Sequence, residues 1–427
     1  MKNYTTETYQ TKRGILQFAT KISKGLHKPI KNLCKDMVYG ILTSKSSLLS
    51  NIARSLKEKT KLSYVIDRLS TNLMNLHKDD MDILKQNYLN EVNNYLPDDE
   101  VIVLNDDSDL NKEYSKKLED LCVVRDASSQ VERLVNGYKV CEYVALSKNK
   151  KTPISLYSKI YSTTSKDFKS ENTETIKGED FVIEFLKSKN KVPIFVRDRG
   201  YDANEFFKKD IKEGNLFVTR LKGNRKLLFK GKEKLVSEVV SKRKGKVLTT
   251  LMYKVENKSC YISYTRVELP CMKGHELTLV TIHGLCDEEG LPMMLLTNIK
   301  VTEKNSATRI VKLYFLRWRI EEYFKAKKEE FGWEDSLLRT MNAMNNYNLF
   351  LTFSMFYMTT IIEKLDTNYH ANVIIERAEA LRENLIILFG LVSKGIYNIL
   401  KYAKTGIEEW KEHNEKRTGY KQLSLKI

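Results

Sequence analysis

The sequence predicts an α/β protein with a mixed sheet core, an N-terminal all-helical domain, an all-β insertion and a C-terminal helical region. Helical periodicity dominates up to about residue 95. From Glu100 onward, short β-branched or aromatic runs alternate with helical stretches, which is typical of a mixed sheet. A later block contains further strand patterns without a strong helical pattern between them. The predicted regions are 1–95, 96–223, 224–302 (the insertion), 303–370 and 371–427.

The charge of the chain indicates a polyanionic partner. The net charge is +18 and the pI is near 9.3. Residues 1–78 hold fifteen Lys and Arg against four Asp and Glu. Short basic helices joined by tight turns suit the grooves of DNA. The alternative is a basic helical bundle that only packs on the next domain.

Several classes of protein are disfavoured by the composition. The six cysteines form no CxxC pair and the six histidines form no HExxH pattern, so a zinc site is not expected. The N-terminus lacks the apolar stretch of a signal peptide, which favours a reduced, cytosolic compartment. Residues 341–362 are uncharged, but Asn-rich at their start, and predict a buried core helix rather than a membrane span.

The segment 311–330 predicts one uninterrupted helix, since it contains neither Pro nor Gly. At about 100° per residue, Tyr314, Arg317, Glu321 and Lys328 fall on one stripe about 60° wide, at the edge of the apolar face. A carboxylate flanked by cations in this way can bind a metal ion and a phosphate. The same spacing also suits a solvated stripe of ion pairs one turn apart.

Two aspartates follow predicted strands. Asp106 follows the apolar run 101–104, and Asp198 follows the run 193–197. Each alone could be a simple turn or N-cap residue. Together with Glu321 they form a set of three carboxylates, which can hold two Mg²⁺ ions about 3.5–4 Å apart for in-line phosphoryl displacement. Arg317 and Lys328 could then neutralise phosphate oxygens, and Tyr314 could stack on a base or bond a phosphate.

The spacing Tyr-x2-Arg-x3-Glu-x6-Lys, realised by Tyr314, Arg317, Glu321 and Lys328, resembles the signature of DDE transposases of the insertion-sequence-four type. Asp106 and Asp198 fall where that family carries its first and second aspartates. The long gap before Glu321 suits the family's β-rich insertion. The resemblance implies a ribonuclease-H-like core over a chain that matches from about residue 1 to 400.

Neighbouring acidic residues compete for these positions. Asp107 and Asp109 compete with Asp106, which is nearest the strand and fits the family's Asp-x-Ser/Thr pattern. Glu322 competes with Glu321, but it lies about 100° away on the helix, off the stripe.

The resemblance implies a Mg²⁺-dependent enzyme that uses two ions, for which Mn²⁺ can substitute. Its substrates would be double-stranded DNA, namely the inverted-repeat ends of its element and a target. A homodimer would hold two ends in a synaptic complex, in the bacterial cytoplasm near the nucleoid and without a membrane. Two alternatives stay open: a ribonuclease-H-like nuclease without strand transfer, and an inactive or domesticated DNA-binding relative.

Some relatives form a DNA hairpin at the element end, and this chain departs from the pattern expected for that step. Those relatives flip a base against an aromatic residue of the insertion. All three tryptophans of this chain lie outside residues 224–302. Tyr253, Tyr261 and Tyr264 are possible substitutes, although strand tyrosines usually pack against their neighbours.

Overall fold

The computed structural model describes residues 4–126, 133–253, 256–286, 290–379, 388–408 and 410 of the chain. The helices are α1 Tyr4–Ile22, α2 Lys28–Ser44, α3 Leu49–Leu56, α4 Leu62–Met74, α5 Lys78–Asn93, α6 Glu171–Ser188, α7 Asn204–Glu213, α8 Val236–Ser241, α9 Lys304–Phe315, α10 Trp318–Lys325, α11 Met341–Ile362, α12 Tyr369–Glu376 and α13 Leu388–Leu400. The strands are β1 Glu100–Asn111, β2 Cys122–Arg125, β3 Leu134–Leu146, β4 Pro153–Tyr161, β5 Val192–Arg197, β6 Leu216–Arg220, β7 Lys226–Phe229, β8 Lys232–Leu235, β9 Val247–Tyr253, β10 Glu256–Val267, β11 Leu277–Cys286 and β12 Pro292–Thr297.

The predicted fold class is confirmed by the arrangement of one large mixed sheet. Strands β4, β3, β1, β5 and β6 lie side by side in this order. The pairs β4–β3 and β3–β1 are antiparallel, whereas β5 and β6 run parallel to β1. Helices α6 and α7 cross between the parallel strands, as the alternating pattern predicts. This is the ribonuclease-H-like order that the resemblance implies.

The insertion extends this sheet instead of forming a separate one. Strand β12 pairs antiparallel with β6, and β11, β10 and β9 follow in turn. Strands β7 and β8 form a separate hairpin. The all-β prediction is wrong at α8, where Val236, Val239 and Val240 turn one buried face inward at helical spacing. A run of six Val-rich residues carries too little periodicity to separate helix from strand.

The prediction of one uninterrupted helix over 311–330 is also wrong. Helix α9 ends at Phe315, and a turn at Leu316 and Arg317 precedes α10. At this turn the Arg317 N–H donates to the Tyr314 carbonyl, three residues back, at 3.0 Å. After α10, residues Ala326–Glu330 form a π-helical turn. Such turns have no sequence signal comparable with Pro or Gly, so the pattern did not reveal them.

Helix α11 is the central helix that joins the regions. Most of its side chains are buried, as predicted, and it packs against β4, α2, α4 and α13. Thr340 caps its start by accepting the Ala343 N–H. Among the described residues, no helix is long and apolar enough to cross a membrane. The five N-terminal helices therefore share a core with the sheet region through α11.

Candidate active site

The carboxyl ends of three adjacent parallel strands build the floor of the site. Leu104 pairs with Val196, and Val196 pairs with Val218. Two residues farther along each strand stand Asp106, Asp198 and Arg220, so the register brings these three side chains together. The prediction that Asp106 follows the end of its strand is wrong, because β1 continues to Asn111. Asp106 instead stands where β1 has lost its β5 neighbour and still pairs with β3.

Arg317 joins the helix to this floor. Its Nη1 lies 3.3 Å from Asp106 Oδ2, and its Nη2 donates to Glu321 Oε1 at 2.7 Å. Only 11% of its side chain is exposed. Burial alone would lower the pKa of Arg317, but the nearby carboxylates, first that of Asp198, raise it. The Arg317–Glu321 contact is thus an ion pair one turn apart, and it also reaches across to the sheet.

The two aspartates of the floor are held in opposite electrostatic states. Burial raises the pKa of Asp106 to about 6, against the opposing charge of Arg317 and with further repulsion from Asp198 and Glu321. For Asp198, burial also acts upward, but Arg317, the Arg199 N–H and other donors together lower its pKa. Neighbouring carboxyl groups whose pKa values are shifted in opposite directions are typical of catalytic sites.

Tyr314 lies beneath Asp198. Its hydroxyl donates to Asp198 Oδ1 at 2.9 Å, and the residue is 4% exposed. Burial and the Asp198 charge raise the pKa of the Tyr314 hydroxyl above its ordinary value. In this position Tyr314 orients the carboxylate from behind. Its predicted DNA contact stays a prediction.

Lys328 lies farther along β1 than the other stripe residues. Its Nζ donates to the Asp109 carbonyl at 2.6 Å and lies 3.0 Å from Glu334 Oε1. About a quarter of its side chain is exposed, at 23%. The stripe therefore points toward the sheet along its whole length, although the helix changes its hydrogen bonding at Ala326.

The competing acidic residues lie elsewhere. Asp107 faces the other side of the sheet, where burial and Asp106 raise its pKa to about 7 and the Cys141 side chain bonds it. Glu322 pairs with Arg319 at 2.8 Å on the outer side of α10. The structure thus brings Asp106, Asp198 and Glu321 together around Arg317, and leaves out Asp107 and Glu322.

Sequence reasoning missed a buried ion pair next to the site. Lys327 Nζ lies 2.9 Å from Glu142 Oε2, and both side chains are fully buried. Glu142 stands directly opposite Asp106 on β3, so the pair lies beside the floor of the site. At about 100° per residue Lys327 falls within the apolar face of the predicted helix, which was an available signal for a buried cation. Arg220, 3.8 Å from Asp198 Oδ1, was also missed.

Two of the tyrosines considered for the insertion, Tyr261 and Tyr264, lie on β10. Tyr261 is 51% exposed on β10. The Tyr264 hydroxyl donates to the Thr302 carbonyl at 3.4 Å. The side chain of Tyr253 lies outside the described residues.

The candidate site offers three carboxylates as possible ligands of a metal ion. Within the described ranges, no group of three or more His, Cys, Asp or Glu side chains is close enough to hold a metal ion. The three carboxylates are nevertheless the hard oxygen donors that Mg²⁺ prefers. They also share one electrostatic environment, because Asp198 and Glu321 both act on the pKa of Asp106. The donor chemistry therefore fits a divalent cation, while Arg317 supplies the positive charge in the observed arrangement.

Part of the chain matches a known family of proteins. Residues 163–356 match the family model of the transposase DDE domain. The match covers less than half of the chain; it includes Asp198, Glu321 and the rest of the helical stripe, but not Asp106. No curated protein matches the sequence significantly. The family match supports a DDE transposase.

Proposed function

We propose that this chain is a DNA transposase that cuts at the inverted-repeat ends of its insertion sequence and joins the 3′-hydroxyls to target DNA. The family match to the transposase DDE domain supports the class of enzyme. The observation that carries the residue assignment is the contact of Arg317 with both Asp106 and Glu321, beside Asp198. The Tyr-Arg-Glu-Lys spacing further favours the insertion-sequence-four type.

The catalytic carboxylates of this proposal are Asp106, Asp198 and Glu321, and they would hold Mg²⁺, or Mn²⁺ in its place. When bound, two such ions would supply Lewis-acid activation of the attacking oxygen and neutralise charge on the leaving oxygen. Asp106 and Asp198 are fixed by the sheet register, and Glu321 approaches from α10. All three are partly exposed, with 28–38% of each side chain open to solvent.

The remaining stripe residues would bind and orient. Arg317 would neutralise phosphate oxygens with the guanidinium that the carboxylates now hold. Lys328, anchored by the Asp109 carbonyl, would add a second cation along the DNA backbone. Tyr314 would hold Asp198 in its ionised form through its hydroxyl.

The N-terminal helices would supply much of the electrostatic affinity for DNA. The excess of Lys and Arg in residues 1–78 attracts the phosphate backbone regardless of sequence. Two copies of the chain would hold two element ends, so that both are cut and joined within one complex.

The proposal is tested by isosteric replacement of the carboxylates. Asp106→Asn, Asp198→Asn and Glu321→Gln should each lower Mg²⁺-dependent cleavage of element-end DNA by about 10³-fold or more, because several kcal/mol of charge stabilisation is lost. DNA affinity should stay within about threefold, since each change removes a negative charge from the DNA side. Glu322→Gln is the matched control, because Glu322 stands beside Glu321 but pairs with Arg319.

Two outcomes would change the proposal. Cleavage that persists in Glu321→Gln would remove Glu321 from the catalytic set. Supplying a pre-nicked end with a free 3′-hydroxyl separates the enzyme classes: cleavage without joining to target DNA would favour a ribonuclease-H-like nuclease.

A further inference from the structure

We infer that the loop between β6 and β7, together with Asp202, forms a binding pocket for a phosphodiester group of the DNA backbone beside the candidate carboxylates. The inference rests on the proposed function and deepens it by assigning a DNA contact outside the helical stripe. Four observations carry it: a buried carboxylate that fixes the loop, an oriented guanidinium with an unpartnered donor, a cavity with excess positive charge, and its position at the sheet edge.

Asp202 fixes the loop with both carboxylate oxygens. Its Oδ2 accepts the backbone N–H of Lys222 at 2.8 Å, and its Oδ1 accepts Arg225 Nε at 2.7 Å. The Asp202 side chain is 1% exposed, so these contacts are shielded from water. Because both oxygens accept hydrogen bonds, the carboxylate fixes the conformation of the loop. Its negative charge is balanced by the Arg225 guanidinium.

Arg225 is held in one orientation from three sides. Beyond the Asp202 contact, its Nη1 donates to Asn204 Oδ1 at 2.9 Å, and its guanidinium lies over the Phe207 ring at 5.2 Å. Its Nη2 is buried and has no hydrogen-bond partner among the described residues. An unsatisfied buried donor is costly and rare in folded proteins. If a phosphate group binds in the cavity and the loop shifts slightly, one of the phosphate oxygens can accept a hydrogen bond from this Nη2.

The cavity at this loop is lined by more cations than carboxylates. It encloses about 340 Å³, and its walls include Lys222, Arg225 and Lys226 as well as Asp202 and Asn204. Three cations thus face one carboxylate whose oxygens are both occupied. Lys226 has a partner in Glu233 at 2.9 Å, whereas Lys222 is exposed at the rim. A phosphate group would be attracted by this excess charge and bound by the fork of Arg225.

The pocket stands next to the candidate active site. Both of its walls begin at strand ends of the site: Asp202 follows Asp198 after the short turn Arg199–Tyr201, and Lys222 follows Arg220 at the end of β6. Arg220 itself lies 3.8 Å from Asp198 Oδ1. A DNA strand carries a phosphate about every 3.4 Å along the helix axis. With the reacting phosphate at Asp198, we expect a neighbouring phosphate of the same strand to enter this pocket.

A purely structural role for Arg225 is the competing explanation. In that case the guanidinium would only secure the start of the insertion, and Lys222 at the rim would have no function. The two explanations differ at Lys222, because its side chain is exposed and its hydrogen bond to Asp202 uses the backbone N–H, which any residue except proline supplies.

The experiment measures DNA binding by the full chain with a labelled mixed-sequence duplex of about 30 base pairs across a series of KCl concentrations. Lys222→Gln and Arg225→Gln should each weaken binding by about 3–10-fold at 0.1 M salt, and make the slope of log affinity against log salt shallower by about 0.9 per lost phosphate contact. Lys222→Arg should keep wild-type affinity. The matched control is Lys232→Gln, an exposed lysine at the far end of the β7–β8 hairpin.

The outcomes separate this inference from the proposed function. If the wild type cuts element-end DNA and both glutamine variants bind with the affinity and salt slope of Lys232→Gln, the pocket is overturned and the transposase proposal stands. If the wild type neither binds nor cuts DNA, both fail. A parallel titration with inorganic phosphate covers the remaining source: stabilisation of the wild type by free phosphate that Lys222→Gln abolishes, with DNA binding unchanged, would overturn the assignment to DNA.

Discussion

Arg317 and Glu321 form an ion pair one helical turn apart whose cation also reaches Asp106 on the sheet. The guanidinium therefore neutralises carboxylates from two elements that are more than 200 residues apart in the chain. In the proposed enzyme, Arg317 would act as an internal counter-ion until metal and DNA bind. A cation that binds these carboxylates must compete with Arg317 for them.

Replacing Arg317 should expose this competition. Arg317→Gln leaves Asp106, Asp198 and Glu321 without their shared counter-charge, so we expect a loss of about 1–3 kcal/mol in the free energy of unfolding at pH 7. This lies below the usual range for a broken buried pair, because Glu321 is 38% exposed. Mg²⁺ or Mn²⁺ should restore more stability to the variant than it adds to the wild type. Urea denaturation with and without metal measures both effects.

The control for this variant is Arg319→Gln, which removes an arginine paired with Glu322 on the outer side of the same helix. It should cost less than about 1 kcal/mol and show no metal-dependent recovery. Equal metal effects in both variants would mean that Arg317 does not compete with the cation.

The pKa of Asp106 predicts an unusual pH dependence in metal-free protein. Its folded pKa is raised from 3.8 to about 6, so the protonated form favours folding. The stability that Asp106 contributes at low pH is therefore lost as pH rises from about 4 to about 6, by about 2–3 kcal/mol. Asp106→Asn should be more stable than the wild type at pH 7 in EDTA, and the difference should vanish near pH 4.

Asp198 gives the opposite sign and serves as the comparison. Burial acts to raise the pKa of Asp198, but Arg317 chiefly, together with other donors, lowers it below its ordinary value. Its stabilising contribution is present above its ordinary pKa and is lost as pH falls through the lower folded value. Asp198→Asn should therefore be less stable than the wild type at pH 7. Parallel profiles for the two asparagine variants would refute this assignment.

Tyr314→Phe separates a DNA contact from a positioning role. The change removes only the hydroxyl that bonds Asp198. A hydrogen bond to a charged group contributes about 1.5–3 kcal/mol, so we expect the cleavage rate at saturating DNA to fall by about 10-fold or more, with unchanged DNA affinity. Tyr347→Phe is the control, since its buried hydroxyl has no partner within the described part of the chain. Weaker DNA binding with an unchanged rate would instead assign Tyr314 to the DNA.

Much of the candidate site could be predicted from local patterns in the sequence. The strand ending at Arg197 places Asp198 as predicted, and helical spacing placed Tyr314, Arg317, Glu321 and Lys328 on one side. The register between β1 and β5 then aligns Asp106 with Asp198. The sequence could not reveal which carboxylates Arg317 contacts on the sheet, because that depends on how α10 packs across β1. The Asp202–Arg225 contact was missed for a different reason, because both residues lie in loops without periodicity.

Lys327 is a buried cation that contacts a carboxylate, an amide oxygen and two aromatic rings. Its Nζ lies 2.9 Å from Glu142 Oε2 and 3.1 Å from Asn348 Oδ1, and the ammonium faces the rings of Tyr323 and Trp333. Burial lowers the pKa of Lys327, while Glu142 opposes that shift. Lys327→Met leaves Glu142 buried without its counter-charge, so we expect a loss of about 3–5 kcal/mol in urea denaturation. Adding Glu142→Gln to this variant should recover part of the loss.

The matched control is Lys325→Met, which breaks an exposed pair with Glu329 on the same helical segment and should cost at most about 1 kcal/mol. If the double variant is less stable than Lys327→Met alone, the loss reflects packing around the lysine and not the uncompensated carboxylate.

The basic N-terminal helices should set the salt dependence of DNA binding. Deleting them would expose the α11 core against which they pack, so substitutions at exposed lysines are the better test. Lys59→Gln together with Lys61→Gln, in and beside the turn between α3 and α4, should make the slope of log affinity against log salt shallower by about 1.8. Lys208→Gln with Lys212→Gln on α7 changes the net charge equally. Equal slopes for the two double variants would show that only net charge matters, and a slope unchanged from the wild type in Lys59/Lys61 would place the DNA elsewhere.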